Sequence, residues 1–81
     1  MTTLYILQSQ TTDRFYIGVT DDLARRLREH HERQTPSTRG RGPWTLVYTE
    51  AYMTRVDALA RERQLKAWKS HRAIAQLVSQ R

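Results

Sequence analysis

Two short apolar runs, separated by a polar stretch, open the sequence and limit its fold more than any other feature does. The first run is LYIL, residues 4–7, the second is FYIGV, residues 15–19, and the stretch between them is QSQTTDR. Apolar runs of this length, bounded by turn-forming residues, are typical of strands, and a short polar connection favours antiparallel pairing. The chain is therefore predicted to begin with a β-hairpin.

Side-chain alternation divides the residues of this hairpin between two faces. Neighbouring side chains of a strand point to opposite faces, so Tyr16 and Gly18 share one face of the second strand and the apolar residues of FYIGV share the other. In the first strand, Tyr5 lies on the face opposite Leu4 and Ile6. The two tyrosines are either packing residues or functional groups on a common face. Because Gly18 lacks a side chain, we expect the backbone there to be open to a close ligand.

A strongly polar helix is predicted to follow the hairpin, over TDDLARRLREHHER, residues 20–33. Thr20 or Asp21 can cap this helix. Helical spacing predicts that its buried stripe consists of Leu23, Ala24 and Leu27. Arg26 and His30 are four residues apart, so they lie along one edge of that stripe, at the boundary between core and solvent. They are either site residues or a solvated arginine and a partly buried, satisfied histidine.

A loop and a third strand come next. The segment QTPSTRGRGP, residues 34–43, is predicted to be a loop because it has a proline near each end and two glycines. Its Arg39 and Arg41 either order on phosphates or belong to an inert connector. The run WTLVYTEAY, residues 44–52, is rich in aromatic and branched residues and predicts the third strand.

Two helices are predicted to complete the chain. TRVD, residues 54–57, resembles a capping box and begins a helix that extends to about Trp68. The residues expected to point inward from it are Val56, Leu59, Ala60 and Ala67. Glu62 and Lys66 have the spacing of a favourable surface ion pair. Ser70 is predicted to cap a last helix, whose core residues are expected to be Ala73, Ile74, Leu77 and Val78.

Charge is the most informative feature of the composition. The chain has 14 Lys and Arg against 8 Asp and Glu, a net charge of +6, and only two of the cations are lysines. Arginine binds phosphate in a bidentate way, so an arginine-rich basic domain favours a nucleic-acid partner over a basic protein without a polyanion partner. The 81 residues suffice for a single domain, 1–81, and the lack of cysteine excludes disulfides and thiolate metal sites. No apolar run is long enough to span a membrane and no export signal is evident, so we expect a cytoplasmic protein.

Several of these segments together resemble the GIY-YIG nuclease superfamily, and in particular its small stand-alone bacterial members, the YhbQ-like proteins. The segments are LYIL, FYIGVTDDLARRLREH, PWTLVYTEAY and RERQLKAWK, and the likeness covers nearly the whole chain. The second family motif is intact at Tyr16 to Gly18, whereas the first keeps only Tyr5. The resemblance implies an α+β fold, in which a three-stranded antiparallel sheet is packed by helices in the order ββαβαα.

The resemblance also implies roles for individual residues. Tyr5 and Tyr16 match the two motif tyrosines, Arg26 the catalytic arginine, and His30 the position one helical turn later. Glu62 matches the glutamate that binds a single divalent metal, Mg²⁺ or Mn²⁺. These five residues are expected to surround one shallow basic cleft. The residues expected to contact nucleic acid are Gly18, Arg39, Arg41, Lys66 and Lys69.

The function implied is that of a metal-dependent endonuclease acting on DNA, with branched, nicked or damaged DNA as candidate substrates and RNA as a further one. Tyr5 would activate water if its pKa fell under the influence of a nearby cation. Two alternatives stay open, a nucleic-acid-binding module with weak or no catalysis and a basic partner subunit of a DNA repair complex. The departures from the family pattern favour the alternatives, because the first motif is degenerate and Ile74 stands where many members have asparagine.

Overall fold

The computed structural model describes residues 1–32 and 43–80, except the side chains of residues 31 and 32. Its elements are β1 (Thr2–Ser9), β2 (Phe15–Thr20), α1 (Leu23–Glu32), β3 (Trp44–Tyr52), α2 (Arg55–Ala67) and α3 (His71–Ser79). The strands form an antiparallel sheet in the order β2-β1-β3. The predicted α+β fold and its ββαβαα order are confirmed. The predicted contacts of Arg39 and Arg41 lie outside the described residues.

Each face of the sheet carries its own apolar cluster. On one face, Leu4, Ile6 and Ile17 pack with Leu65 of α2 and Ile74 of α3. The second cluster consists of Tyr5, Leu7 and Trp44, with Tyr16, Leu23, Leu27 and Leu46 packed against it. Helix α1 therefore covers one face, and α2 and α3 cover the other. The predicted alternation is confirmed, because both tyrosines lie on the α1 face.

Strand register brings the hairpin residues of interest into contact. Tyr5 of β1 is directly opposite Gly18 of β2, and Leu7 is opposite Tyr16. Strand β1 is also paired along its other side with β3, with an irregularity between Ile6 and Leu7. Being central, β1 has four consecutive buried residues, which is why the first apolar run has no polar residue inside it.

Three side-chain caps fix where the helices begin. Thr54 accepts a hydrogen bond from the Asp57 amide at 3.2 Å, and Ser70 accepts one from the Ala73 amide at 3.1 Å, so both predicted caps are confirmed. Helix α1 begins later than predicted. Its cap is the side chain of Asp22, which accepts from the amide of Arg25 at 3.1 Å. Ala24 is exposed and does not belong to the buried stripe.

The predicted inward face of α2 is wrong. Val56 is 75% exposed and Leu59 37% exposed, and Ala60 and Ala67 are exposed as well. The buried residues of this helix are Ala58 and Leu65. Apolar residues occur all around α2, so helical periodicity does not single out one face, and tertiary contacts decide which face is buried. None of the helices in residues 1–32 and 43–80 is long and apolar enough to cross a membrane.

Candidate active site

The hydroxyl group of Tyr5 is held from two sides by residues of α1. The Nε of Arg26 donates a hydrogen bond to the Tyr5 oxygen at 3.2 Å, and the Nε2 of His30 lies 3.2 Å from the same oxygen. Since Arg26 can only donate, the Tyr5 hydroxyl is free to donate its proton to His30 when the imidazole proton is on Nδ1. The three side chains thus form a connected chain of polar groups on the α1 face of the sheet.

Tyr16 completes this group from the neighbouring strand. Its ring centroid lies 5.0 Å from that of His30 in an edge-on arrangement and 6.3 Å from that of Tyr5. The Arg26 pKa is raised above its ordinary value, chiefly by the hydrogen bond with Tyr5, and the Tyr16 hydroxyl acts in the same direction. The structure therefore brings together the four residues predicted to be catalytic.

His30 is more deeply buried than predicted. Its side chain is 1% exposed, whereas that of Arg26 is 32% exposed. On a helix with about 100° per residue, His30 lies between the directions of Leu23 and Arg26, close to the centre of the buried stripe. Only Arg26 occupies the predicted boundary between core and solvent, so it is the member of the group that reaches the surface.

Gly18 makes room for Tyr5 rather than for a ligand. A Cβ atom at this position would lie 2.5 Å from Cζ of Tyr5 and closer still to its hydroxyl oxygen. Gly18 itself is buried. The prediction that its backbone is open to DNA is wrong on this side of the strand, because the phenol of the residue paired with it fills the space.

Burial dominates the protonation of Tyr5. The pKa of its phenol is raised above 10.0, because burial favours the neutral form more strongly than the hydrogen bond from Arg26 favours the phenolate. The lowered pKa that would let Tyr5 act as a phenolate base is therefore not present in this structure. Tyr5 keeps its proton at neutral pH, and any proton that it accepts requires that its own proton move to His30.

Glu62 reaches the site region from the other side of the sheet. Helix α2 runs alongside β2, because Arg55 at its start pairs with Asp21, just after β2, at 3.4 Å. Near its other end, Lys66 borders the same groove as Phe15, the first residue of β2. Glu62 lies one turn before Lys66, so it stands beside the middle of β2.

The roll of α2 about its axis points Glu62 toward β2. On a helical projection, Arg61 and Glu62 flank the buried residues Ala58 and Leu65 on opposite sides. Arg61 reaches Glu50 of β3, which is one of the two outer strands of the sheet. Because β1 lies between β3 and β2, Glu62 on the other flank faces β2, the strand that carries Gly18 and Tyr16.

The arrangement of the five predicted residues differs from one shallow basic cleft. Tyr5 and His30 are buried, and Glu62 approaches from the opposite face, although its carboxylate is near enough to raise the Tyr5 pKa electrostatically. The cleft beside Arg26 has a volume of about 420 Å³. Its charged lining consists of Arg25, Arg26, Arg55, Asp21, Asp22 and Glu29, so positive and negative side chains are equal in number.

The anchor of α2 is a cluster that the sequence interpretation missed. Glu50 accepts hydrogen bonds from the hydroxyls of Tyr48 and Tyr52 at 2.5 and 2.6 Å, and from Arg61 at 3.1 and 3.3 Å. Burial alone would raise the Glu50 pKa, but the hydrogen bonds from Arg61 and the two tyrosines lower it. Arg61 also stacks over Trp68, with 5.8 Å to the ring centroid. Tyr48, Glu50 and Tyr52 occupy alternate positions of VYTEAY and therefore lie on one face of β3. This spacing is the sequence signal from which the cluster could have been predicted.

The donor set for a divalent cation is small. Within residues 1–32 and 43–80, no group of three or more histidine, aspartate or glutamate side chains could together hold a metal ion. Glu62 has a side chain that is 21% exposed and an ion pair with Lys66 at 3.3 Å. Mg²⁺ retains several waters and is often bound by one or two carboxylates plus substrate phosphates. A single glutamate that faces β2 fits that pattern, in which substrate phosphates complete the coordination.

Comparison with known proteins bears on the motif residues. The sequence matches the profile of the GIY-YIG catalytic domain over residues 1–74. This chain belongs to the GIY-YIG family. The match spans Tyr5, Tyr16, Arg26, His30 and Glu62, so all the predicted catalytic and metal-binding residues lie inside the family domain. The predicted family resemblance is confirmed, and the chain carries a domain of nuclease type.

Relatives of this GIY-YIG chain include small proteins and one longer protein. The UPF0213 protein HQ_3675A of Haloquadratum walsbyi is 39% identical over 66 residues, which cover 80% of this chain and 73% of that protein. The solution NMR structure of the UPF0213 protein BH0048 from Bacillus halodurans has a TM-score of 0.63 and 36% identity, covering 100% of this chain and 86% of the other. The structure-specific endonuclease subunit SLX1 of Meyerozyma guilliermondii is 40% identical over 79 residues, which cover 89% of this chain but only 27% of that protein.

Proposed function

We propose that this GIY-YIG domain is a divalent-metal-dependent endonuclease that hydrolyses phosphodiester bonds in DNA. The observation that supports the proposal most directly is the hydroxyl of Tyr5, which is held 3.2 Å from both Arg26 and His30. A phosphodiester resists attack because it is anionic and because water is a poor nucleophile. In this cluster, Arg26 supplies a fixed cation that offsets the charge of the phosphodiester. Tyr5 and His30 supply a connected pair of proton-transfer groups that can activate water.

Arg26 is the phosphate-binding group in this proposal. Its side chain is 32% exposed, its Nε–H is already used to orient Tyr5, and its Nη1 donates a hydrogen bond to Glu29 at 3.3 Å. The remaining N–H groups can bind phosphate oxygens while the Nε contact persists, because guanidinium carries five donors in a rigid plane. A phosphate bound in this way lies next to the Tyr5 hydroxyl.

Tyr5 and His30 act together as the general base. A water molecule that attacks phosphorus gives its proton to the Tyr5 oxygen, and the Tyr5 proton passes to Nε2 of His30. The P–O bond to the leaving oxygen breaks, and that oxygen takes up a proton from solvent. This relay needs no free phenolate, which agrees with the raised pKa of Tyr5.

Glu62 is the residue proposed to hold the metal ion, Mg²⁺ or Mn²⁺. Its carboxylate faces the β2 edge, and its pairing with Lys66 is exposed enough to be exchanged for a cation. A bound divalent ion supplies positive charge to the phosphate and leaving oxygens. Glu62 then contributes by fixing the position of that charge relative to Arg26, from the opposite side of β2.

The test is cleavage of a panel of supercoiled, nicked and branched DNAs, with Mg²⁺, with Mn²⁺ and with a chelator. The wild-type chain should cut at least one of them only when metal is present. Glu62→Gln should lose cleavage but retain DNA binding, because it removes the anionic ligand and keeps the shape. Asp13→Asn removes one carboxylate from the exposed β1–β2 turn and serves as the matched control, which should cut as the wild type does. Equal metal-dependent cleavage by wild type and Glu62→Gln would place the activity elsewhere.

The branched substrates enter the panel because of one relative. SLX1 is named as a subunit of a structure-specific endonuclease, and its matching region is 40% identical to this chain. We propose that DNA with a junction or a flap is the preferred substrate. Preference for linear duplex over every branched DNA would contradict this part of the proposal.

A binding module is the second candidate, and two observations favour it. Tyr5 and His30 are each 1% exposed, so the proposed proton-transfer pair is covered in the absence of DNA. Ile74 is also a core residue rather than a polar group at the site. A wild-type chain that binds branched DNA tightly and cuts no DNA in any metal would establish this alternative.

A further inference from the structure

A basic concave surface lies at the far end of β2 from the cleft that contains Arg26. It is a groove of about 250 Å³ at the junction of α2 and α3, which we call the α2–α3 groove. Its floor is apolar, from Phe15, Ile17, Leu65 and Ile74. Its polar lining consists of Arg14, Lys66, Lys69, Ser70 and His71. Among the residues that the structure describes, no aspartate or glutamate lines it, in contrast to the balanced cleft beside Arg26.

Its basic groups come from three separate parts of the chain. Arg14 belongs to the turn before β2, Lys66 to the last turn of α2, and Lys69 and His71 to the junction and the first residue of α3. The His71 ring packs on Phe15, with centroids 4.7 Å apart. Lys69 has a left-handed backbone conformation, with φ at 50°. A rigid apolar floor and convergent cations are what a fixed anion site needs, whereas cations on one solvated helix face diverge.

The groove continues directly from the candidate metal ligand. Lys66 borders the groove and also pairs with Glu62, one helical turn earlier. Lys69 follows Glu62 by seven residues, a rise of about 10 Å along a helix at 1.5 Å per residue. The sugar-phosphate backbone of B-form DNA advances 3.4 Å per nucleotide along the duplex axis, so this distance is about three base-pair steps.

We propose that the α2–α3 groove binds a backbone phosphate of the DNA, about three base-pair steps from the phosphodiester at Arg26 and Glu62. The position of that phosphate rests on the proposed nuclease function, whereas its binding does not require catalysis. The groove orients the duplex along α2, so that the strand crosses the β2 edge in one direction. DNA is thus held by Arg26 at one end of β2 and by the α2–α3 groove at the other.

The first test compares two groove cations with two cations outside the groove. All variants carry Glu62→Gln, so that a fluorescein-labelled nicked duplex stays intact while its anisotropy is measured without metal. Arg14→Gln and Lys69→Gln should each flatten the slope of log K against log salt by about 0.9, the value for one duplex phosphate contact. Arg63→Gln and Arg72→Gln remove the same charge from exposed positions of α2 and α3 and should flatten it by less than half as much. Equal slopes for all four variants would overturn the proposal.

The second test locates the phosphate by changing the DNA rather than by adding a further protein variant. Single neutral methylphosphonates are placed at successive positions on each strand of the same duplex. One position, about three steps from the cleaved bond, should weaken binding of the Glu62→Gln protein by about three- to fourfold near 200 mM salt, and should not weaken binding of the Lys69→Gln variant further. Coupling at no position would overturn the groove assignment. Coupling without cleavage of any DNA by the wild type would retain the groove and reject the nuclease.

Discussion

The hydroxyl of Tyr5 is the atom on which the proposed chemistry depends, and Tyr5→Phe removes it alone. Because general acid–base groups contribute about 10²- to 10⁴-fold, we expect cleavage to fall at least about 100-fold. Loss of two hydrogen bonds to one oxygen should lower the free energy of unfolding by about 1–3 kcal/mol. Ile6→Val is the stability-matched control, since it costs about 0.5–1.5 kcal/mol in the core of the opposite face and leaves the hydroxyl in place. Cleavage at the wild-type rate by Tyr5→Phe would exclude the relay through His30.

Gly18 lets Tyr5 adopt its position, so replacement of Gly18 should disturb packing inside the core. The added methyl of Gly18→Ala would lie 2.5 Å from Cζ of Tyr5. That residue is 1% exposed, and its hydroxyl accepts a hydrogen bond from Arg26. We expect overpacking to cost about 1–3 kcal/mol of unfolding free energy and to move the Tyr5 hydroxyl out of reach of its partners. Denaturant melts and cleavage assays measure the two effects. A variant that is as stable and as active as the wild type would show that the ring has another place to go.

The sequence predicted these residue-scale features unevenly, for a physical reason. Alternation in β1 and β2 predicted that Tyr5 and Tyr16 share a face, whereas the expectation that Arg26 lies near them came from the family resemblance. The filling of the space above Gly18 depends on the register between two strands and on one side-chain rotamer, which alternation does not contain. The depth of His30 could have been predicted, since its spacing of three and seven from Leu27 and Leu23 places it inside the buried stripe.

Among the elements, α2 shows how tertiary contacts override a sequence pattern. Its apolar residues surround the helix, and the face that is buried is the one that carries Ala58 and Leu65, with the ion pair between Arg61 and Glu50 beside it. We expect Leu65→Ala to cost about 2–5 kcal/mol of unfolding free energy and Val56→Ala to cost less than about 0.5 kcal/mol. Urea melts monitored by circular dichroism measure both. Similar costs for the two variants would contradict the face that the structure assigns.

The Glu50 cluster makes the seating of α2 on the sheet dependent on pH. The pKa of Glu50 is lower in the folded chain than its ordinary 4.5, so the folded state favours the carboxylate. This stabilisation is complete above pH 4.5 and is lost as the pH falls through the lower folded value. The pKa of Tyr52 is raised to about 12 by burial and by its hydrogen bond to Glu50, so the corresponding stabilisation is complete below 10.0 and is lost as the pH rises toward 12.

Two variants separate these effects. Between about pH 5 and pH 3, the free energy of unfolding should fall more steeply for the wild type than for Glu50→Gln, which has no carboxyl group to protonate. At alkaline pH, Tyr52→Phe should lose less stability between pH 10 and 12 than the wild type does. Parallel curves for wild type and Glu50→Gln in acid would mean that the carboxylate gains nothing from its three partners.

At the scale of the whole molecule, charge is distributed differently from what the composition suggests. The net charge of +6 predicted a basic surface at the candidate site. The structure instead balances the charges beside Arg26, whereas the described lining of the α2–α3 groove contains cations and no carboxylate, although Lys66 pairs with Glu62 just outside it. Net charge is summed over the whole sequence and does not say where individual charges lie. The positions of Asp22, which caps α1, and of Asp21, which pairs with Arg55, depend on where the chain turns.

The sheet order has a consequence for association between copies. With three strands in the order β2-β1-β3, β2 and β3 each pair with β1 alone among the described strands. A strand edge such as that of β2 can template sheet extension, and like charge on two copies opposes it. We expect light scattering and sedimentation to detect self-association as salt is raised above about 0.5 M, where the screening length falls toward 3 Å. A mass that stays constant with salt would show that the edges are protected by something other than repulsion.

Because of the sheet order and the net charge, the solubility of the protein would depend on whether DNA is bound. Bound DNA along the β2 edge would hide that edge from a second copy, whereas the salt that dissociates DNA also removes the repulsion between free copies. In the proposed complex, nucleic acid would shield the strand that it contacts from a second copy. A purification that strips DNA with concentrated salt would create the conditions under which this protein is most prone to precipitate.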